Sequence, residues 1–172
     1  MNVELEDILA KSIPCTLKGY KRAFAGASDV FGEKGRSVCT ILKDDQAEIK
    51  SYAFEVEDQN MKFIDEFEAY PVMYDRIVMQ CESTQGEVFD AFVYIMNDIS
   101  KYAYPTEGYL KGVAQTIASH YYLSKQTFDF ENVVIEIVKA DGEEIIRNHT
   151  VKMGIEEYPE LIKNQIAEII SS

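Results

Sequence analysis

Apolar residues recur along this chain with two periods, and the switches between them mark out its elements. The segment 3–10, "VELEDILA", reads as a short amphipathic helix, and 15–26, "CTLKGYKRAFAG", as a strand rich in aromatic residues. A polar, glycine-bearing loop, "ASDVFGEKGR", separates it from an apolar strand, "SVCTILK". "AEIKSYAFEV" then alternates, which makes Ile49, Tyr52, Phe54 and Val56 candidates for burial. The period changes at Met61, Ile64 and Glu68, spaced i, i+3, i+7 on one stripe of a helix that Phe63 and Phe67 widen. Lys62, Asp65 and Glu66 fall mostly on its other faces. This helix starts near Asp58 as N-cap and must stop before Pro71.

Two strands follow, "YDRIVMQCES" and "EVFDAFVYIM", joined across "TQGE" as a hairpin, and the density of Phe89, Phe92 and Tyr94 predicts a covered sheet. A Pro-bearing loop, "YAYPTEGY", runs into a helix with a stripe of Leu110, Val113, Ile117 and Tyr121. Beyond Lys125 a strand pair turns around Asp141-Gly142, and the chain closes with an amphipathic helix carrying Leu161, Ile162, Ile166 and Ile169. Val133, Ile135 and Ile137 alternate with Val134, Glu136 and Val138, so this strand is apolar on both faces over part of its length and is expected to be covered on both. Ile145, Ile146 and Val151 on the returning strand add surface to bury. There is no internal repeat. Many strands and few helices predict a twisted, partly closed β-sheet with helices at its ends.

Composition narrows the function classes. The 172 residues suit one domain with at most a small appendage, and a hydrophobic share of 47% is enough for an ordinary core. The formal net charge of -13, from 30 acidic and 17 basic residues, argues against a nucleic-acid binder and against adhesion to anionic membranes. A surface that mimics nucleic acid toward a basic partner is the sharper reading; a solvated acidic surface is the commoner one. No apolar run approaches a membrane span and the start, "MNVELEDILA", is acidic, so a soluble, cytoplasmic protein is expected. Cys15, Cys39 and Cys81 are odd in number and far apart, and read as reduced, mostly buried thiols with no disulfide frame and no metal site.

The usual catalytic signatures are missing. There is no phosphate-binding glycine loop, no nucleophile elbow and no His/Cys/Asp cluster at metal spacing. His120 and His149 are far apart and suit structural or surface roles. The 11 Tyr and 9 Phe are mostly core, with a minority suited to lining a pocket. One position stands out. Glu68 lies at the end of an apolar stripe, where desolvation would raise its pKa toward the range useful for proton transfer. Spacing leaves the alternative open that Glu68 frays into water at the last turn, the common fate of a helical carboxylate.

The order "IPCTLKGYKRAF", "SVCTILK", "SYAFEV", "FIDEFEAYPVMYDRI", "FVYI" and "YPTEGYLKGVAQ" resembles the γ-glutamylcyclotransferase-like (AIG2-like) proteins over residues 1–122. The most specific element is a helix ending in Leu/Ile-Asp-x-x-Glu, followed by an aromatic that opens a strand, matched by Ile64, Asp65, Glu68 and Tyr74. A proline-plus-Tyr loop leading into a helix is matched by Pro105 and Tyr109. The resemblance implies an α+β fold, a mixed β-barrel with flanking helices over 1–124; the hairpin and helix of 125–172 have no counterpart in it and are expected as a C-terminal extension packed on that domain. It implies cyclisation of a γ-glutamyl amine or peptide to 5-oxoproline, with Glu68 as catalytic base, Tyr74 and Tyr109 lining the substrate pocket, and neither metal nor cofactor. The alternative is a member impaired in catalysis that sequesters a small ligand or binds a protein. A homodimer or a protein partner through the acidic surface or the extension is a further expectation.

Two departures from the family pattern stand in the sequence. Members carry an N-terminal strand ending in Tyr-Gly-Ser-Asn or Tyr-Gly-Thr-Leu, whereas "MNVELEDIL" aligns with the helix just after that loop, through an internal start or a true loss. The residue after the catalytic Glu is usually Gly and here is Ala69. The hairpin beyond Lys125 is expected either to replace the missing strand at the barrel edge or to serve as a lid or dimerisation element.

Overall fold

In the computed structural model of the protein, the described residues are 5–28, 36–141 and 145–171. Residues 3–4 of the first expected helix, loop residues 29–35, Gly142 of the expected turn and the side chains of Ile145, Ile146 and Ile169 lie outside that description. The elements run α1 (Leu5–Ala10), β1 (Ile13–Ser28), β2 (Arg36–Ala53), α2 (Asp58–Phe67), β3 (Tyr74–Ser83), β4 (Val88–Met96), α3 (Glu107–Leu123), β5 (Asn132–Val138), β6 (Ile145–Lys152), a 3₁₀ turn (Ile155–Glu157) and α4 (Glu160–Ser171). The fold is α+β, with an antiparallel sheet, flanking helices and a C-terminal hairpin and helix.

The two segments expected as separate strands, 37–43 and 47–56, are one long strand, β2. Its ladder with β1 runs from Ile13 opposite Ala53 to Ser28 opposite Arg36, and a bulge between Lys18 and Tyr20 absorbs the irregularity. Gly19, at φ 83, supplies the left-handed backbone that such a bulge uses. β2 ends at Ala53, so Phe54 lies beyond the sheet and is 45% exposed, against the burial expected for it. The second hairpin pairs β3 with β4 from Tyr74 opposite Met96 to Glu82 opposite Val88.

The sheet order is β2-β1-β3-β4, and among the described residues no closed barrel forms. The two hairpins meet only where Cys15 faces Ser83 and Thr16 faces Glu82. Beyond those pairs they splay apart, and side chains cross the gap in place of a ladder. The Met96 N–H donates to Thr40 Oγ1 at 3.0 Å, and the Tyr74 hydroxyl donates to the Cys39 carbonyl at 2.9 Å. A barrel needs a continuous ladder around its wall; here that ladder is interrupted, and the interruption opens a cavity. The same pairing brings two cysteines together that the sequence placed far apart. Cys15 and Cys81 are buried, free thiols in hydrogen-bond contact, and burial first, then Cys81, pushes the Cys15 thiol up to about 12.

The C-terminal segment builds the largest core cluster. Val133, Ile137, Val151 and Ile162 are each 0% exposed, and they pack with Leu9, Phe24, Leu110 and Ala114. Burying such side chains contributes roughly 1.5–3 kcal/mol each. β5 and β6 form their own two-stranded sheet, so the hairpin does not take a strand's place in the main sheet. Besides this side-chain packing, its backbone pairing with β1 among the described residues is one bridge, at which the Ala140 N–H donates to the Phe24 carbonyl at 2.9 Å. β5 is covered on one face only: Val134 is 57% exposed, against the expectation of cover on both sides. A register shift between Ile137 and Val138 turns Val138 inward after Ile137 and accounts for the doubled apolar pattern there.

Candidate active site

α2 stops in a way that fixes Glu68. Glu68 is the C-cap, Ala69 follows at φ 51, and the Tyr70 N–H reaches back to the Asp65 carbonyl at 2.9 Å while the Ala69 N–H reaches Glu66 at 3.1 Å. This is the Schellman pattern, whose left-handed position normally takes glycine because a Cβ costs energy there. Ala69 therefore occupies the position at which the resembled family carries Gly. At the other end, Glu57 and not Asp58 is the N-cap, and no side chain caps the helix.

Polar contacts hold this helix, and no residue of it is fully buried. Asp65 accepts from Arg76 Nη1 at 2.5 Å and from the Tyr94 hydroxyl at 2.6 Å, tying α2 to β3 and β4. The Arg76 guanidinium also lies over the rings of Tyr70 and Phe92. Asn97 Nδ2 donates to the carbonyls of Pro71 and Val72, and its N–H donates to Met73, which pins the turn after Glu68. Phe63 and Phe67 do not widen a buried stripe: they are 52% and 79% exposed. At about 100° per residue they point well away from the Met61–Ile64–Glu68 direction. That direction faces a cavity and not a sealed core. Phe92, 56% exposed, and Val78, 60% exposed, likewise leave part of the β3–β4 surface uncovered.

The cavity has a volume of about 1030 Å³ and lies between the splayed hairpins. Glu68, Tyr74 and Tyr109 all line it, so three residues from separate elements meet in one space. Burial pushes the Glu68 carboxyl above its ordinary value. Among the described residues no hydrogen-bond donor or cation meets that carboxylate, which leaves its lone pairs open to a ligand. Its charge reaches Tyr74, whose phenol is raised by burial first and by Glu68 second. Burial raises the Tyr109 phenol as well, so both tyrosines keep their protons at neutral pH.

The backbone of Cys39 sets the roles open to the two hydroxyls. Tyr74 donates its proton to the Cys39 carbonyl at 2.9 Å, while Tyr109 accepts the Cys39 N–H at 2.8 Å. The Tyr109 hydroxyl is also in hydrogen-bond contact with the Cys39 thiol, and sulfur is a weak acceptor, so of the two tyrosines Tyr109 is the one whose proton is readily redirected to a ligand. Tyr74 has only lone pairs to offer. Thr106 places Tyr109 by capping α3, its Oγ1 accepting the Tyr109 N–H at 3.1 Å.

Both histidines lie elsewhere. His120 is 1% exposed with Nδ1 against the Ser51 carbonyl at 2.6 Å, and His149 meets Glu107 at 2.9 Å. Asn97, Thr106, Arg22 and the Cys39 backbone escaped the sequence reading. Thr106 alone carried a usable signal, as a Thr just before an amphipathic run.

Residues 3–122 match the family model described as "Gamma-glutamyl cyclotransferase, AIG2-like". A solved structure titled "Gamma-glutamyl cyclotransferase" is 16% identical with a TM-score of 0.53, over 95% of this chain and 91% of that one. The crystal structure of an uncharacterized protein from Homo sapiens, treated by ensemble refinement, is 16% identical with a TM-score of 0.53, over 92% of this chain and 86% of that one. At such identity the likeness is one of fold. No curated protein matches the chain. Among the described residues no helix is long and apolar enough to cross a membrane.

Proposed function

The chain belongs to the gamma-glutamyl cyclotransferase, AIG2-like family, and from that premise we propose that it cyclises a γ-glutamyl amine or peptide to 5-oxoproline and releases the amine. The observation that carries this reading is the meeting of Glu68, Tyr74 and Tyr109 on one cavity, with the Glu68 carboxylate desolvated and unpartnered among the described residues.

The chemistry follows from those groups. Glu68 takes a proton from the substrate's α-ammonium, and the freed amine attacks the γ-carbonyl within the same molecule. A new C–N bond closes the five-membered ring, the ring nitrogen sheds its second proton to water, the old amide C–N bond breaks, and Glu68 returns the first proton to the departing amine. The reaction draws its nucleophile from the substrate, so holding the chain folded supplies the proximity a bimolecular attack would lack. Tyr109 turns its proton from the Cys39 thiol, a weak acceptor, to the γ-carbonyl oxygen as negative charge builds there. Tyr74 accepts from the ammonium. Met61, Ile64 and Val78 wall the cavity with apolar surface, which strengthens each of these interactions.

The test is release of 5-oxoproline from a panel of γ-glutamyl amines and peptides by the wild type and by Glu68→Gln. The Gln keeps the shape and removes the base, so turnover should fall by about 10²–10⁴-fold. Unchanged turnover would remove Glu68 from the mechanism. No release from any compound, with binding retained, would replace the enzyme reading by that of a ligand-sequestering protein.

A further inference from the structure

The scheme above leaves the described cation of the cavity unused. Among its described lining residues Arg22 is the sole cation, beside the carboxylates of Glu55, Asp58, Glu68 and Asp90. The protein has four arginines, and the other three are engaged: Arg36 with the Tyr104 carbonyl, Arg76 with Asp65, and Arg147 with the Tyr104 hydroxyl. Arg22 makes no hydrogen bond or ion pair to any described residue. It is half-buried. A guanidinium drawn partly out of water, with no partner among the described residues, costs energy that a ligand anion would offset.

Register places this cation at the site. Arg22 pairs with Ile41 across the β1–β2 ladder, and Phe24 pairs with Cys39, so Arg22 is the diagonal neighbour of Cys39. Diagonal neighbours on one sheet face stand about 7–8 Å apart, within reach of an arginine. Cys39 is the residue whose carbonyl and N–H hold Tyr74 and Tyr109. The Cys39 thiol is pushed up by burial, and the Arg22 charge acts against that rise, so its field covers this part of the cavity.

We propose that Arg22 binds the free α-carboxylate of the γ-glutamyl group, opposite Glu68 on the α-ammonium, and makes that carboxylate a requirement for recognition. The inference rests on the cyclotransferase reading. The α-carbon of the substrate carries a cation and an anion, and the cavity offers the inverse pair. A guanidinium fork matches the two oxygens of a carboxylate, and holding them fixes the rotation about the α-carbon that points the amine at the γ-carbonyl. Arg22 touches substrate and not the reacting bond. Its loss should therefore act on substrate capture and orientation, and it should leave the dependence of rate on Glu68 ionisation in place.

The experiment compares a γ-glutamyl anilide with its α-carboxamide counterpart, in wild type, Arg22→Gln and Arg22→Lys, by turnover and by calorimetric binding. The carboxamide retains the amine and the scissile bond, and its cyclisation gives 5-oxoprolinamide and the same aniline. Wild type should prefer the carboxylate by about ten- to a hundredfold, the value of one charge-assisted pair. Arg22→Gln should lose that preference by losing the carboxylate compound alone, with Arg22→Lys between the two. Preference retained in full by folded Arg22→Gln overturns the proposal, as does a wild type that shows none, a result that needs no variant to fold. Binding that discriminates through Arg22 without turnover of either compound upholds the carboxylate site and fails the cyclotransferase reading. Binding of neither compound by wild type overturns the site itself.

Discussion

α2 and α3 flank one sheet and are held to it by opposite means. α3 buries Leu110, Val113, Ala114 and Ala118 and is capped by Thr106, whereas α2 buries no residue fully and lacks a side-chain cap. What fixes α2 is a set of directional polar contacts, Asp65 to Arg76 and Tyr94, and Asn97 to the turn behind it. Apolar burial is strong but non-directional. Hydrogen bonds add about 1 kcal/mol each, yet they set position within tenths of an ångström. The division suits a site: the α3 and hairpin side supplies stability, and the α2 side supplies aim.

The comparison breaks first where apolar burial is removed. Deleting residues 127–172 strips Val133, Ile135, Ile137, Val151 and Ile162 from the core cluster and should yield insoluble protein. The point variant Ile135→Ala should cost about 2–5 kcal/mol in denaturant unfolding. Met61→Ala on α2, where the side chain is only half-buried, should cost less than half as much. A truncated chain that stays soluble, monomeric and equally heat-stable would show the segment to be dispensable.

The next effect lies in the pins. Asp65→Ala leaves Arg76 and Tyr94 without their carboxylate partner and should cost about 1–3 kcal/mol. It should also lower kcat with KM less affected, because Glu68 loses its aim. A variant that loses stability while keeping wild-type kcat would separate the pin from the site.

Ala69→Gly is expected to act in the other direction. Relieving a Cβ at φ 51 should stabilise the protein by about 1 kcal/mol, read as a rise in Tm, with turnover kept. A fall in Tm would mean that the extra freedom of glycine in the unfolded chain outweighs the strain.

The smallest effect is a pH dependence. Glu68 has its folded pKa raised above the ordinary 4.5 by burial, so the native state holds the proton more tightly than the unfolded one. Stability attributable to this group is present below pH 4.5, declines as pH rises through the window up to the folded value, and is flat above it. Glu68→Gln lacks that decline. The Tm difference between Gln and Glu should therefore open in favour of Gln between acid and neutral pH. A gap that is constant, or that closes, would place the carboxyl in water. Turnover should move oppositely, rising with pH as the base form of Glu68 appears.

Much of this protein was legible in its residues because periodicity is local. The β3–β4 hairpin, the helix ending at Glu68, the Pro105–Tyr109 entry to α3 and the amphipathic C-terminal helix all follow from spacing over a few residues, and the Ile64-Asp65-x-x-Glu68 pattern located the carboxylate. Whether a given face is covered is a different matter, because it depends on what packs there from elsewhere in the chain. Phe63, Phe67, Phe92 and Val134 have the composition of buried positions and are exposed, since no described element covers them. The open sheet was equally out of reach. It depends on β1 and β3 parting after two residue pairs, with Thr40 and Met96 bridging 56 positions of sequence. Arg22 and Asn97 read as ordinary polar residues until their surroundings are known. A side chain's chemistry belongs to the residue, but its partner, its solvent and its aim belong to contacts that only the folded chain brings together.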